Sequence, residues 1–315
     1  MQATSSPTLS SQENVIASTP IEVSYSALIW RRLRRDRVAM FGAALVGVLI
    51  LVALFAPLLA PYNPAEQFRD GLTLDGQPVP STLFKGGDGT HFPLGTDANG
   101  RDLLSRIFYG ARVSLLVGVL ANLLAVTLGL IIGITAGYLG GWVESLLMRI
   151  TDIMMAFPTL LLAMTLVAIL KPSLWIIIAV IGLVYWTWIA RVVYSQVLVI
   201  REREFVIASR ALGSGRLYVM LHHILPQLVP TIIVWSTLGT ATNVMLEASL
   251  SYLGIGVQPP TPSWGGMIQQ GQSYYRTAPW LVIYPGLAIM ITVFAFNLLG
   301  DGLRDAFDPT QRGNL

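Results

Sequence analysis

The sequence contains no cysteine, which excludes disulfides, iron–sulfur clusters and thiolate zinc sites while leaving the redox compartment open. Histidine is almost as scarce: three in 315 residues, two of them adjacent, are too few for a metal centre built from imidazoles. Charged residues make up only 12% of the chain and hydrophobic ones 54%, a balance too apolar for an ordinary soluble domain. No Lys, Arg, Asp or Glu falls in the middle of a long apolar run. That argues against a proton- or ion-coupled secondary transporter, in which intramembrane carboxylates usually carry the coupling. The signatures GxxxxGK[ST], HExxH and GxSxG are missing as well. An enzyme is therefore disfavoured, and any ATP that drives this protein must be bound by another chain. No catalytic residue and no metal is expected.

Six apolar windows, each near the ~20 residues that cross a bilayer, make this an all-α polytopic membrane protein. They run from Ala39 to Ala60 and from about Val113 to Gly137, Ile153 to Leu170, Leu174 to Ala190, Leu228 to Leu250 and Leu281 to Gly300. Six spans put both termini on one side. Arg31, Arg32, Arg34, Arg35 and Arg37 precede the first span, and Arg191, Arg201, Arg203, Arg210 and Arg216 follow the fourth. Short loops rich in Lys and Arg stay cytoplasmic, so both termini are expected there. A cleaved signal peptide would have an apolar core of only about 7–15 residues, whereas the first run here is 22 residues long and reads as a retained anchor. The Ser- and Thr-rich residues 1–25 read as a disordered cytoplasmic tail. Residues 26–60 form the basic segment and first span, 61–111 an extracytoplasmic loop, 112–301 a five-helix core, and 302–315 a cytoplasmic tail.

Near the end of the external loop, Asp97, Asn99 and Asp102 surround Gly100. An EF-hand needs Gly at loop position 6 and Glu at 12, but those places hold Asp102 and Phe108. The segment reads instead as an Asx turn and helix cap, with Asp97 or Asn99 feeding a helix that begins near Arg101. In the second span Gly129, Gly133 and Gly137 recur every four residues, a small-residue stripe for close helix packing. Glu247 stands near the outer end of the fifth span, with Asn243 and Ser251 one helical turn away on either side. These three are candidates for the pathway or outer gate; the alternative is a carboxylate that reaches external water or pairs with a neighbouring helix. The external stretch "GVQPPTPSWGGMI", 256–268, can contact a partner or cap the path, and Trp264 suits an interfacial aromatic belt.

The polar interruption "ASRALGSGRLYVMLHHILP", residues 208–226, separates the fourth and fifth spans. A helix from about Ser195 to Leu212 is expected to stop at Gly213 in a left-handed cap. Ser214 and Gly215 then turn the chain, and a second short helix from Arg216 ends where Pro226 opens the next span. Ala208, Ser209 and Ala211 leave room for another protein's surface, while Arg210 and Arg216 offer it charge. A loop lying on lipid headgroups is the alternative from physics alone.

This segment resembles the EAA loop of ABC importer permeases, whose pattern is Glu-Ala-Ala, three residues, Gly, nine residues, then Ile-x-Leu-Pro. Counted from Gly213, it falls on Ile207, Ala208 and Ser209, and on His223, Ile224, Leu225 and Pro226, departing at Ile207, Ser209 and His223. "PLGTDANGRDLLSRIFYGARVSL", "GGWVESLLMRITDIMMAFPTLLLA", "ASLSYLGIGVQPPTPSWGGM" and "NLLGDGLRDAFDP" look like the C-type permease of dipeptide, oligopeptide and nickel importers, over nearly all of Trp30 to Pro309. The resemblance implies a type I importer permease in a bacterial or archaeal inner membrane. It implies a homologous B-type permease, two ATP-binding subunits holding ATP and Mg, and an extracytoplasmic substrate-binding protein as partners, with no nucleic acid. The segment 199–226 would be the coupling helix seated on an ATPase, through Ala208, Ser209, Arg210, Ala211, Gly213, Arg216, His223, Leu225 and Pro226. Peptides are the cargo this resemblance suggests first, with nickel chelates, glutathione or haem as alternatives.

Overall fold

The computed structural model describes residues 25–81 and 91–307; most of the proposed N-terminal tail, and residues 308–315, lie outside them. The described chain is helical throughout its apolar parts. Helix α1, Tyr25–Arg35, carries the arginine cluster and meets α2, Arg37–Leu54, at Asp36. The Asp36 carboxylate accepts the Val38 and Ala39 amides at 2.9 and 3.1 Å, satisfying donors that a helix start leaves orphaned. Pro57 lies in the first turn of a separate short helix α3, Ala56–Leu59, so the apolar run expected as one span is two helices.

Helix α4, Leu103–Leu139, is 37 residues long, about 55 Å at ~1.5 Å per residue, and so overreaches the hydrocarbon core at one or both ends. It starts ten residues before the expected span. Its cap is Asp102 rather than Asp97 or Asn99. Asp102 accepts the Ser105 amide at 2.8 Å and its hydroxyl at 2.6 Å, but one carboxylate oxygen is buried without a partner among the described residues. Burial pushes this carboxyl above the ordinary carboxylate range, and the Ser105 bonds only partly offset it. The native state therefore favours the protonated form, and this group's contribution to stability falls as pH rises through its raised pKa. Asp102→Asn, which keeps the cap without the charge, is expected to match or exceed the native thermal midpoint at neutral pH. Asp102→Ala is expected to cost about 0.5–2 kcal/mol.

The third span is not one helix. Helix α5, Gly141–Met155, and helix α6, Thr159–Leu170, are bent by 88° across a short break. Pro158 explains it: proline lacks the amide a continuing helix needs and disfavours helical geometry at Phe157 before it. Helix α7, Leu174–Ile200, then packs along α4. A side chain at Gly129, Gly133 or Gly137 would approach Ile189 at 2.7 Å, the Ala190 carbonyl at 2.8 Å or Val197 at 2.8 Å respectively. The stripe thus lets the two backbones meet.

Helix α8, Glu204–Ala211, and helix α9, Arg216–Val219, make the elbow. A π turn, Met220–Ile224, then leads directly into α10, Leu225–Tyr252. The expected stop before Pro226 is absent, because the Leu225 amide reaches back five residues to Met220. That wider turn accommodates Pro226, which has no amide to place. Helix α11, Trp264–Gly271, is short and re-enters the protein, and α12, Trp280–Phe307, closes the described chain. Residues 302–307, expected in the C-terminal tail, are its last helical turns.

Among the described residues five helices are long and apolar enough to cross a membrane, and the bent α5–α6 pair makes a sixth crossing if it counts as one span. The exposed faces of α2 and α12 are apolar, with Phe41, Val48 and Leu51 on one and Ile283, Met290 and Phe294 on the other. Such faces suit lipid, which has no polar group to offer.

Candidate functional site

The elbow hangs from the ends of three long helices. At the foot of α7, the Arg201 guanidinium donates to the Gly137 carbonyl at 2.7 Å, tying α7 to the last turn of α4. Tyr194 donates to Glu144, and Asp152 pairs with Arg191, so α5 is fastened to α7 at the same level. Residues 201–203 break the helix that the sequence pattern carries from Ser195 to Leu212.

Helix α8 ends as its glycine dictates. Gly213 has φ +86°, its amide donates to the Arg210 carbonyl at 3.0 Å, and the Ser214 amide donates to the Ser209 carbonyl at 3.1 Å. Those two bonds define a Schellman cap, which absorbs carbonyls left orphaned by the helix end. The Ser209 hydroxyl also donates to the Ser214 hydroxyl at 2.9 Å, bracing the turn from the side chain. A Cβ at Gly213 would meet no described residue within 4 Å. Positive φ, not space, is therefore what reserves the position for glycine.

Below the turn, Val206, Val219, Ile224 and Leu228 pack with Val193, Val197 and Ile200 of α7 in one buried cluster. Arg210 lies 6.0 Å from the Tyr138 ring centre at the end of α4. His222 stacks on Tyr218, and His223 meets the rings of both Tyr218 and Phe205, so the paired histidines are spent on aromatic contacts. The outward side carries Ala208, Arg210, Ala211, Gly213, Arg216 and Pro226, all exposed. Ser209 is buried, while His223 and Leu225 are half-buried. Leu212 and Leu217 are 88% and 66% exposed, and Ile207, where the pattern has glutamate, is 49% exposed. Large bare leucines in a polar elbow are the kind of exposed apolar feature that marks contact with another protein or with the membrane.

At the opposite end of the core, Asn243, Glu247 and Ser251 share a face of α10, but that face is turned inward. Glu247 accepts from the Ser114 hydroxyl of α4 at 2.9 Å and the Ser251 hydroxyl at 2.7 Å, and is completely buried. Ser251 in turn accepts the Val257 amide at 3.2 Å, so the carboxylate holds the loop after α10. Asn243 is buried with neither amide atom partnered among the described residues. All three side chains are buried in this chain. Trp264 is also buried rather than in an aromatic belt, its indole donating to the Ile107 carbonyl at 3.1 Å over Gly110.

Sequence reading missed the cluster beside it. Asp97 accepts the Asn99 amide at 2.8 Å, as an Asx turn requires, yet its other oxygen faces Arg101 at 2.7 Å and Arg106 at 3.1 Å. Gln270 of α11 accepts from both guanidiniums, at 3.0 and 3.3 Å. Loop, α4 and α11 are joined there. Nothing local to residues 97–106 announces a partner so far along the chain.

Comparison with known proteins gives this arrangement a context. Residues 129–313 match the family profile described as binding-protein-dependent transport system inner membrane component, and residues 24–75 match the N-terminal transmembrane domain of oligopeptide transport permease C. A dipeptide transport system permease protein of Escherichia coli (strain K12) is 46% identical over 297 residues, covering 94% of this chain and 97% of the relative. One from Alkalihalophilus pseudofirmus is 40% identical over 300 residues, covering 94% and 95%. A glutathione transport system permease protein of Shigella flexneri serotype 5b is 43% identical over 284 residues, covering 90% of each chain. The profile spans the bent pair, the elbow, the buried carboxylate and the last helix, and a chain so matched belongs to the inner-membrane permease components of binding-protein-dependent ABC importers.

Proposed function

We propose that this permease carries short peptides, dipeptides first, across the inner membrane in six spans with both termini cytoplasmic. The identity to dipeptide permeases over almost the whole chain supports this reading. A homologous permease would complete the pathway, two ATP-binding subunits would hold ATP and Mg, and an extracytoplasmic binding protein would deliver cargo. The elbow, residues 199–226, would seat on one ATPase through its exposed leucines and through Arg210 and Arg216. Because α7 and α10 leave the elbow's two ends, ATP-driven closure of the ATPases would turn both and switch the pathway. The test is uptake of a labelled dipeptide by proteoliposomes holding the four-subunit complex, with ATP inside and binding protein outside. Uptake that persists without the ATPase subunits would overturn the reading. Glutathione is the second cargo, supported by the glutathione permease relative; competition against the labelled dipeptide separates the two.

Glu247 takes part in this scheme as a positioning group for the outer loop, through Ser114, Ser251 and Val257. Glu247→Gln keeps the shape, accepts from one serine and donates to the other, and is expected to retain most uptake. Glu247→Ala strands both hydroxyls at a cost of about 1–3 kcal/mol each, and is expected to lose binding-protein-stimulated ATPase activity. Equal loss in both variants would assign the role to the charge instead.

A further inference from the structure

Two cavities lie along one side of α10. One, of about 560 Å³, is lined by Tyr185 and Trp188 of α7 and by Trp235, Thr242, Met245 and Ser249 of α10. The other, of about 390 Å³, is lined by Gln196, Thr231, Trp235, Leu238, Arg304 and Phe307. Trp235 borders both. Each volume falls in the ~300–1,000 Å³ range of small-molecule sites. Trp235, Thr242 and Ser249 recur every seven residues, which places them on one helical stripe, with Thr231 a turn before. At ~1.5 Å per residue the stripe from Thr231 to Ser249 is about 27 Å long, close to the ~30 Å hydrocarbon core. The groove thus runs nearly the depth of a membrane, with one indole ring across its course.

Its lining is largely apolar, with hydroxyls set among the rings. From Ile283 to Phe294 the exposed side of α12 is Ile283, Leu287, Met290, Ile291 and Phe294, all apolar, and the first exposed polar residue beyond them is Asn297. Along the groove, hydroxyls alternate with rings and a thioether. The Thr242 and Ser249 hydroxyls donate to carbonyls four residues back, at 3.2 and 2.8 Å, which leaves a lone pair on each oxygen, although Thr242 also bonds the Tyr185 hydroxyl beside it. Those oxygens suit peptide amide N–H groups, and the faces of Trp188 and Trp235 suit side chains of varied shape. At the far end the exposed Arg304 offers a guanidinium to a carboxylate.

We propose that a short peptide travels along this face of α10, held in the first chamber by the hydroxyls and indoles, and that Trp235 is the partition between that chamber and the one ending at Arg304. This rests on the reading of the chain as a peptide importer's permease; the partner permease supplies the facing wall.

The assembled complex tests it in two ways. Thr242→Trp fills the first chamber and is expected to abolish uptake of a labelled dipeptide while the subunits still co-purify and the binding protein still stimulates ATPase activity. Unchanged uptake overturns the proposal, and so does loss of co-purification, which would make the groove a subunit contact. The absence of native cysteine in this chain allows the second test. Thr242→Cys is expected to react with a membrane-impermeant maleimide from the extracytoplasmic side only, after subtraction of thiols in the parent complex. Adding Trp235→Ala is expected to open it to the cytoplasmic side too. Reaction only with a membrane-partitioning maleimide would mean lipid contact, and unaltered sidedness in the double variant would remove the partition; either overturns the proposal. Leu212→Cys, on the elbow, reports membrane orientation separately. If it labels only from outside, the orientation reading fails while one-sided access to Thr242→Cys still stands. A parent complex that carries no dipeptide would sink the cargo reading alone.

Discussion

Replacing Gly213 by valine is expected to abolish ATP-driven uptake while leaving the chain inserted, assembled and folded. The cap needs φ +86° at this position, and a β-branched side chain is the least able to adopt it. The strain is about 1–3 kcal/mol, and it is concentrated in a turn where no described residue lies within 4 Å of a Cβ to oppose a shift. The backbone would relax by opening the turn. Ser214 would then leave the Ser209 carbonyl and hydroxyl, and α8 would lose its fixed angle to α9. A displaced elbow cannot pass ATPase closure to α7 and α10, although neither helix is itself altered. Gly213→Asn is the discriminating control, because asparagine tolerates the left-handed region and commonly ends helices there. Uptake and binding-protein-stimulated ATPase activity should rank glycine first, then asparagine, alanine and valine, with membrane insertion equal throughout. A valine variant that keeps both activities would remove the elbow from the coupling path.

The elbow could be read from sequence because what shapes it is local. Glycine at the end of a helix, a following turn and a proline thirteen residues beyond that glycine are all visible within one short stretch. Even there the reading overreached, since Pro226 looks like a boundary in sequence while the π turn carries the helix past it. Pro158 is the converse case. It sits inside an apolar run long enough to span, and hydropathy hid the 88° bend that its missing amide produces. Tertiary pairing was beyond reach. Glu247 stands out in the sequence as an unusual carboxylate, but only the folded chain shows that it accepts from Ser114 of α4. Trp264 likewise fits an aromatic belt by composition and a slot over Gly110 in fact. Amphipathic residues are the hardest to place, because membrane interface and protein interior reward the same side chain.

The cluster at Asp97 gives the second large effect. Asp97→Ala is expected to destabilise the protein by about 3–5 kcal/mol, the cost of leaving a buried ion pair without one of its partners. Arg101 and Arg106 have side chains 5% and 2% exposed, and Asp97 is the only carboxylate shown in an ion pair with either among the described residues. Gln270 contributes a carbonyl oxygen to both, which satisfies donors but neutralises no charge. Without the carboxylate, two guanidiniums share one small buried space and must separate or draw water in. Either route pulls α11 from the start of α4, and Trp264 with it. Two functions of Asp97 can be told apart by Asp97→Asn. Asparagine still accepts the Asn99 and Arg101 amides and so preserves the Asx turn, while losing the charge. If the ion cluster dominates, the asparagine variant should fall nearly as far in thermal midpoint as alanine in the detergent-solubilised complex. If the turn dominates, it should stay near the native value. The geometry favours the first outcome, because a turn of this kind is worth little more than a hydrogen bond or two, whereas unpaired buried cations cost several times that.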